Sequence, residues 1–94
     1  MERTLPKGLL EAVKVELKIT HDYLAVGLDA LVLEAIDVID DICGASDYSV
    51  EGLPRKLVKA YCRYARSNIP ELFEKNFQHD ILKLQIRNGV KKRG

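Results

Sequence analysis

Residues 24–44 read LAVGLDALVLEAIDVIDDICG, and this stretch decides the fold class. Leu24, Leu28, Leu31, Ala35, Val38 and Ile42 alternate four- and three-residue steps, the spacing of a helical seam that faces another helix. A second seam runs beside it through Val32, Ile36, Ile39 and Cys43. Two adjacent seams make a wide apolar face, so the spacing predicts the long central helix of an all-α fold. Glu34, Asp37 and Asp41 fall on the opposite side, with Asp40 nearby. Thr20 or Asp22 can cap the start by accepting from an unpaired backbone N–H, and Gly44 stands where a C-terminal cap belongs.

Working outward, three more helices are expected. On the N-terminal side, Leu10, Val13 and Leu17 share one face of a helix over Lys7–Lys18, with Pro6 suited to its first turn. Alternation at Val13, Val15, Leu17 and Ile19 offers a strand instead, but the flanking residues fit it less well. On the C-terminal side, Ala45–Gly52 is a polar connection. A third helix follows from Leu53 or Pro54 to Asn68, burying Leu57, Val58, Tyr61, Ala65 and Ile69. Pro70 breaks it, and a last helix over Glu71–Arg87 packs through Phe73, Phe77, Ile81 and Leu84. The expected architecture is one domain over residues 1–94, a bundle of about four helices with its helical core at 7–87. Residues 88–94 form a basic tail with no apolar period.

Bulk composition agrees. At 94 residues there is room for one modest core, and 47% hydrophobic with 31% charged residues is a globular balance rather than a disordered one. With no Trp and 6% aromatic residues, that core is aliphatic, which suits helix packing. No apolar run approaches a membrane span or a signal peptide, and Cys43 and Cys62 lack metal-site spacing. Both cysteines therefore read as reduced, buried thiols of a cytoplasmic protein with no membrane role.

Catalysis finds no equipment in this chain. The six glycines make neither a phosphate loop nor a dinucleotide fingerprint, and His21 and His79 are not spaced as helical metal ligands. Asp37, Asp40 and Asp41 could collect a cation, but one helix supplies no closed oxygen cage. The reading is of a non-enzymatic protein with no cofactor and no metal.

Charge is where the sequence becomes specific. The net charge of +1 hides a division. Ile19–Leu53 carries Asp22, Asp29, Glu34, Asp37, Asp40, Asp41, Asp47 and Glu51 without one Lys or Arg, whereas Pro54–Gly94 holds eleven basic and three acidic residues. Arg55, Lys59, Arg63 and Arg66 recur at helical spacing as a basic stripe on the third helix. The acidic face and the basic stripe are either solvated outer faces, partners within the monomer, or complementary halves of a contact between subunits. The last is what a head-to-tail interface uses, and such an interface closes into a ring. The expected interface residues are Asp37, Asp40 and Asp41 on one side, with Arg55, Lys59, Arg63 and Arg66 on the other.

The order of features resembles the small head–tail connector, or adaptor, proteins of long-tailed bacteriophages and prophages. The resemblance begins with a short helix ending in Leu17-Lys18-Ile19-Thr20-His21-Asp22-Tyr23. It continues through Leu24-Ala25-Val26-Gly27-Leu28, Ala35, Ile39 and Cys43-Gly44. After the polar gap come Leu53-Pro54, Leu57-Val58-Lys59-Ala60-Tyr61, Tyr64 and a final amphipathic helix. It spans about Leu9 to Ile86 and consists of apolar positions and helix ends. The resemblance implies a structural virion-assembly protein, made in the host cytoplasm and placed at the virion head–tail junction. It implies a ring of roughly twelve copies below the portal protein that offers a surface to a tail-joining protein. DNA would pass through as non-specific cargo of the channel. Lys91, Lys92 and Arg93 would then be candidates for the portal or tail-protein contact. Two other readings use the same residues: a small helical nucleic-acid-binding regulator holding phosphate with the basic stripe and tail, and a helical partner-binding module.

Overall fold

The computed structural model describes residues 5–6, 8–19 and 26–89. Among them there are five helices and no strand: α1 (Leu9–Glu16), α2 (Leu28–Cys43), α3 (Leu53–Arg66), α4 (Leu72–Asn76) and α5 (Gln78–Arg87). The all-helical class follows the sequence, while the expected last helix is two. Phe77, at φ −117° and ψ 18°, leaves the helical region and divides α4 from α5. The short α4 lies against α3, whereas α5 reaches both α2 and α3. Phe77 itself is held between aromatic neighbours, stacked on Phe73 at 5.6 Å and edge-on to Tyr64 at 5.7 Å between ring centroids.

The helix ends show why the first two helices are shorter than the apolar periods suggest. Gly27 stands immediately before α2 at φ +80°, a left-handed conformation that cannot continue a helix, so α2 begins at Leu28. The capping residues expected earlier, Thr20 and Asp22, lie outside the described residues, as does Leu24 of the first seam. Gly8, also left-handed, precedes α1, and the Pro6 carbonyl accepts from the Leu9 N–H at 3.1 Å; Pro6 leads into the helix rather than forming its first turn. Helices α1 and α3 end alike. Lys18 and Asn68 turn left-handed, and paired bonds back into the last turn close each end: Lys18 N–H to Val15 and Ile19 N–H to Lys14 in α1, Asn68 N–H to Ala65 and Ile69 N–H to Tyr64 in α3. Gly44 closes α2 with its N–H on the Asp40 carbonyl at 2.9 Å, where the sequence placed the stop.

Although α2 is the longest helix, α3 is the hub, packed against each of the other four. Its Leu57, Val58, Ala60, Tyr61 and Cys62 are all buried, an arc wide enough to need neighbours on several sides. Helix α2, which packs mainly against α3 and also against α1 and α5, buries Leu28, Val32, Ala35, Ile36 and Ile39. Every residue of the second seam, Val32, Ile36, Ile39 and Cys43, is buried, as are Leu28 and Ala35 of the first. Leu31, Val38 and Ile42 of the first seam lie half-buried at the rim. Ile69, expected inside, is 37% exposed because the chain has already turned out of α3 at Asn68. Phe73, Ile81 and Leu84 are buried as their spacing predicts, with Phe77 half-buried between them.

This ordering of the seams is open to measurement. Val32→Asp places an unpaired charge at a fully buried position and should abolish cooperative thermal unfolding followed by circular dichroism. Leu31→Asp, at the edge, should leave a cooperative transition at lower temperature. Equal effects of the two substitutions would show that the depth assigned to the seams is wrong.

Candidate assembly surfaces

The connection between α2 and α3 is polar in sequence but firmly held. Tyr48 is buried, and its hydroxyl donates to Asp40 Oδ1 at 2.6 Å. Arg55 folds over it from the first turn of α3: Nε donates to the Tyr48 carbonyl at 3.2 Å, and Nη1 pairs with Glu51 Oε1 at 2.9 Å. Gly8 lies against the same guanidinium; a Cβ there would sit 3.3 Å from Nη2. From α5, Asn88 Nδ2 donates to the Cys43 carbonyl and to Ser46 Oγ, each at 2.9 Å, and Gln85 Nε2 donates to the Ile42 carbonyl at 2.9 Å. Ser49 gives both its backbone N–H and its hydroxyl to Asp47, which holds that carboxyl below its ordinary range.

This network engages two of the expected interface residues within the chain. Arg55 is 8% exposed and does not belong to a solvent-facing stripe. Asp40, half-buried, accepts from the Tyr48 hydroxyl within the chain. The remaining basic positions are partly stitched to neighbouring helices as well. Arg63 Nη1 meets Glu16 Oε2 of α1 at 2.8 Å and lies 5.6 Å from the Tyr64 ring centroid. Beside the stripe, Lys56 meets Asp80 of α5 at 3.2 Å. Lys59, half-buried, lines a depression of about 210 Å³ together with Glu16, Lys56, Arg63 and Phe77. Arg66 is exposed near the end of α3. Lys91, Lys92 and Arg93 lie outside the described residues.

The acidic surface of α2 is where the sequence placed it. Ala30, Glu34, Asp37 and Asp41 are exposed along one stripe, opposite the buried Val32, Ile36 and Ile39. Glu34 also accepts from the Tyr61 hydroxyl at 2.6 Å. No basic residue stands in the last turn of α2, and Asp41 lies where the negative end of the helix dipole disfavours a carboxylate.

A further surface was not read from the sequence. On α5, Leu82 is 50% and Ile86 71% exposed, and with His79 and Lys83 they line a shallow groove of about 230 Å³. The signal was available, since Leu82 and Ile86 are one turn apart. It was masked by the stronger Phe73, Phe77, Ile81 and Leu84 pattern on the other side.

For chemistry, the thiols are the notable groups. Cys43 and Cys62 are free and buried. Burial, reinforced by Asp40, pushes the Cys43 thiol up to about 11; burial, reinforced by Glu34, pushes Cys62 up to about 12. Such thiols are protonated near neutrality and are poor nucleophiles. Burial likewise pushes Tyr61 up to about 12, helped by its bond to Glu34. Among the described residues no three of His, Cys, Asp and Glu are grouped to hold a metal ion, and no helix is long and apolar enough to cross a membrane.

Two measurements follow. Tyr48→Phe removes a hydrogen bond to a carboxylate, a contact of about 1.5–3 kcal/mol, and should lower unfolding free energy in urea by about that amount. Arg63→Gln, at a pair open to solvent, should cost under about 1 kcal/mol. Equal losses would show that the buried anchor has no special weight. The second measurement is alkaline stability. Both thiols ionise at higher pH in the fold than in the unfolded chain, where they titrate near 9.0. Their contribution is complete below pH 9 and is lost as pH rises through about 11 and 12. A Cys43→Ala, Cys62→Ala protein should therefore lose less stability than wild type between pH 9 and 11 in urea titrations; parallel curves would refute the assignment.

Compared with known proteins, the chain matches no family model, no curated protein and no solved structure.

Proposed function

We propose that this protein is a structural subunit of a phage head–tail connector, assembling as a ring below the portal and extending the channel through which DNA passes. The observation that carries the reading is the segregation of charge onto separate helices. The exposed side of α2 is acidic with no Lys or Arg anywhere in the helix, while basic residues gather on α3 and α5. A subunit built this way repels itself through like faces and attracts itself through unlike ones, which favours head-to-tail contact and a closed ring. The order of features over Leu9–Ile86 supports the same reading through its resemblance to the connector proteins. The function requires neither catalysis nor a cofactor. It requires a rigid helical block with two different docking faces, and DNA in the channel needs no base readout.

Native mass spectrometry of the purified chain is the test. The expected result is a single closed assembly of roughly twelve subunits at low salt, weakening as salt screens the contacts. A monomer at all concentrations, bound to duplex DNA in a salt-dependent way, would replace this reading with that of a nucleic-acid-binding regulator.

A further inference from the structure

We propose that the outer face of α5 is the docking surface for the acidic face of α2 in a second copy of this chain. The inference rests on the ring reading above and names the contact that would build it. The sequence alone pairs the α2 face with the basic stripe of α3. The structure argues for another partner, because much of that stripe is used within the subunit. Arg55 is buried over Tyr48, Arg63 is paired with Glu16, and the neighbouring Lys56 is paired with Asp80.

Helix α5 offers what the α3 stripe lacks, an apolar ridge open to solvent. Leu82 and Ile86 stand one turn apart and largely uncovered, and exposed aliphatic groups gain most from being buried in a contact. Lys83 and Arg87, both exposed, form a parallel ridge with the same one-turn spacing, and His79 extends it by another turn. On α2, Asp37 and Asp41 are also one turn apart, with Glu34 beside them and the small Ala30 leaving room for close approach. Two helices lying along each other therefore bring two acid–base pairs into register, since four residues rise about 6 Å on each helix. The apolar ridge excludes water beside the pairs, so the charges select the register while Leu82 and Ile86 supply the affinity. Because the two faces belong to different helices of one chain, each docked subunit still presents one of each, and the contact repeats until it closes.

Mixing charge-reversed full-length chains tests this without depending on ring closure. One chain carries Lys83→Glu and Arg87→Glu, the other Asp37→Lys and Asp41→Lys, each first checked for wild-type melting. Alone, each chain presents like charges to itself, and its assembled fraction should fall about tenfold or more. Mixed, the negative α5 of the first fits the positive α2 of the second, and the unaltered faces fit in turn. Native mass spectrometry should then show restored assemblies with equal numbers of the two chains. Leu82→Ser with Ile86→Ser should weaken wild-type assembly even at high salt. Alternating open chains that never close would support this surface and overturn the ring. Rings unaffected by either reversal, or reversed chains that fail to rescue each other, would overturn this surface and leave the ring reading standing. A wild type that stays monomeric, with no co-assembly on mixing, would overturn both.

Discussion

Helix α3 has to bury Leu57, Val58, Ala60, Tyr61 and Cys62 within fourteen residues, and no single neighbour can cover so broad an arc. The rest of the chain is arranged to meet that demand. Helices α1 and α2, before it in the chain, and α4 and α5, after it, all pack against it. Aliphatic packing supplies most of the cover, and the edge-on pair of Tyr61 and Phe73, 5.4 Å between centroids, links α3 to the start of the C-terminal unit. The C-terminal unit divides at Phe77, which is clasped by Phe73 and Tyr64.

Much of this was legible in the sequence because helical burial leaves a local trace. The steps Val32, Ile36, Ile39 and Cys43 mark a buried line whatever lies opposite, and Gly44 marks its end. Depth is different. Two adjacent seams on α2 are equally apolar as text, and only the placement of the neighbouring helices decides that Ile36 is covered while Leu31 stays at the rim. Helix starts were also hard to see. Gly27 is unremarkable inside an apolar period, yet its left-handed backbone sets the boundary of α2. The division at Phe77 has no Pro or Gly to announce it.

The charged residues show the same limit more sharply. Arg55 reads as one position of a basic stripe, but its guanidinium pairs with Glu51 and is drawn inward by the Tyr48 carbonyl, a contact created only when the connection folds back. Asp40 looks equivalent to Asp37 and Asp41 along the helix, yet Tyr48 claims it from eight residues away. A charge read from sequence is thus a candidate for either an internal anchor or an external contact, and desolvation separates the two. A buried ion needs its hydrogen-bonding partners supplied by the fold, whereas an exposed one can exchange water for a neighbour at little cost.

That separation bears on the proposed assembly of so small a chain. Its surface is large relative to its interior, so faces that stay uncovered in the monomer matter to its stability. Asp40, Tyr48, Glu51 and Arg55 make the block rigid by fixing the turn between α2 and α3, and the Asn88 contacts tie the end of α5 to the same turn. The acidic face of α2 and the apolar–basic face of α5 are consequently held in a fixed relation by one polar junction. In the proposed ring, the angle between those faces sets the rotation from one subunit to the next, and hence the number of copies that close. The residues that decide ring size would then be the internal anchors of the turn rather than the charges that touch.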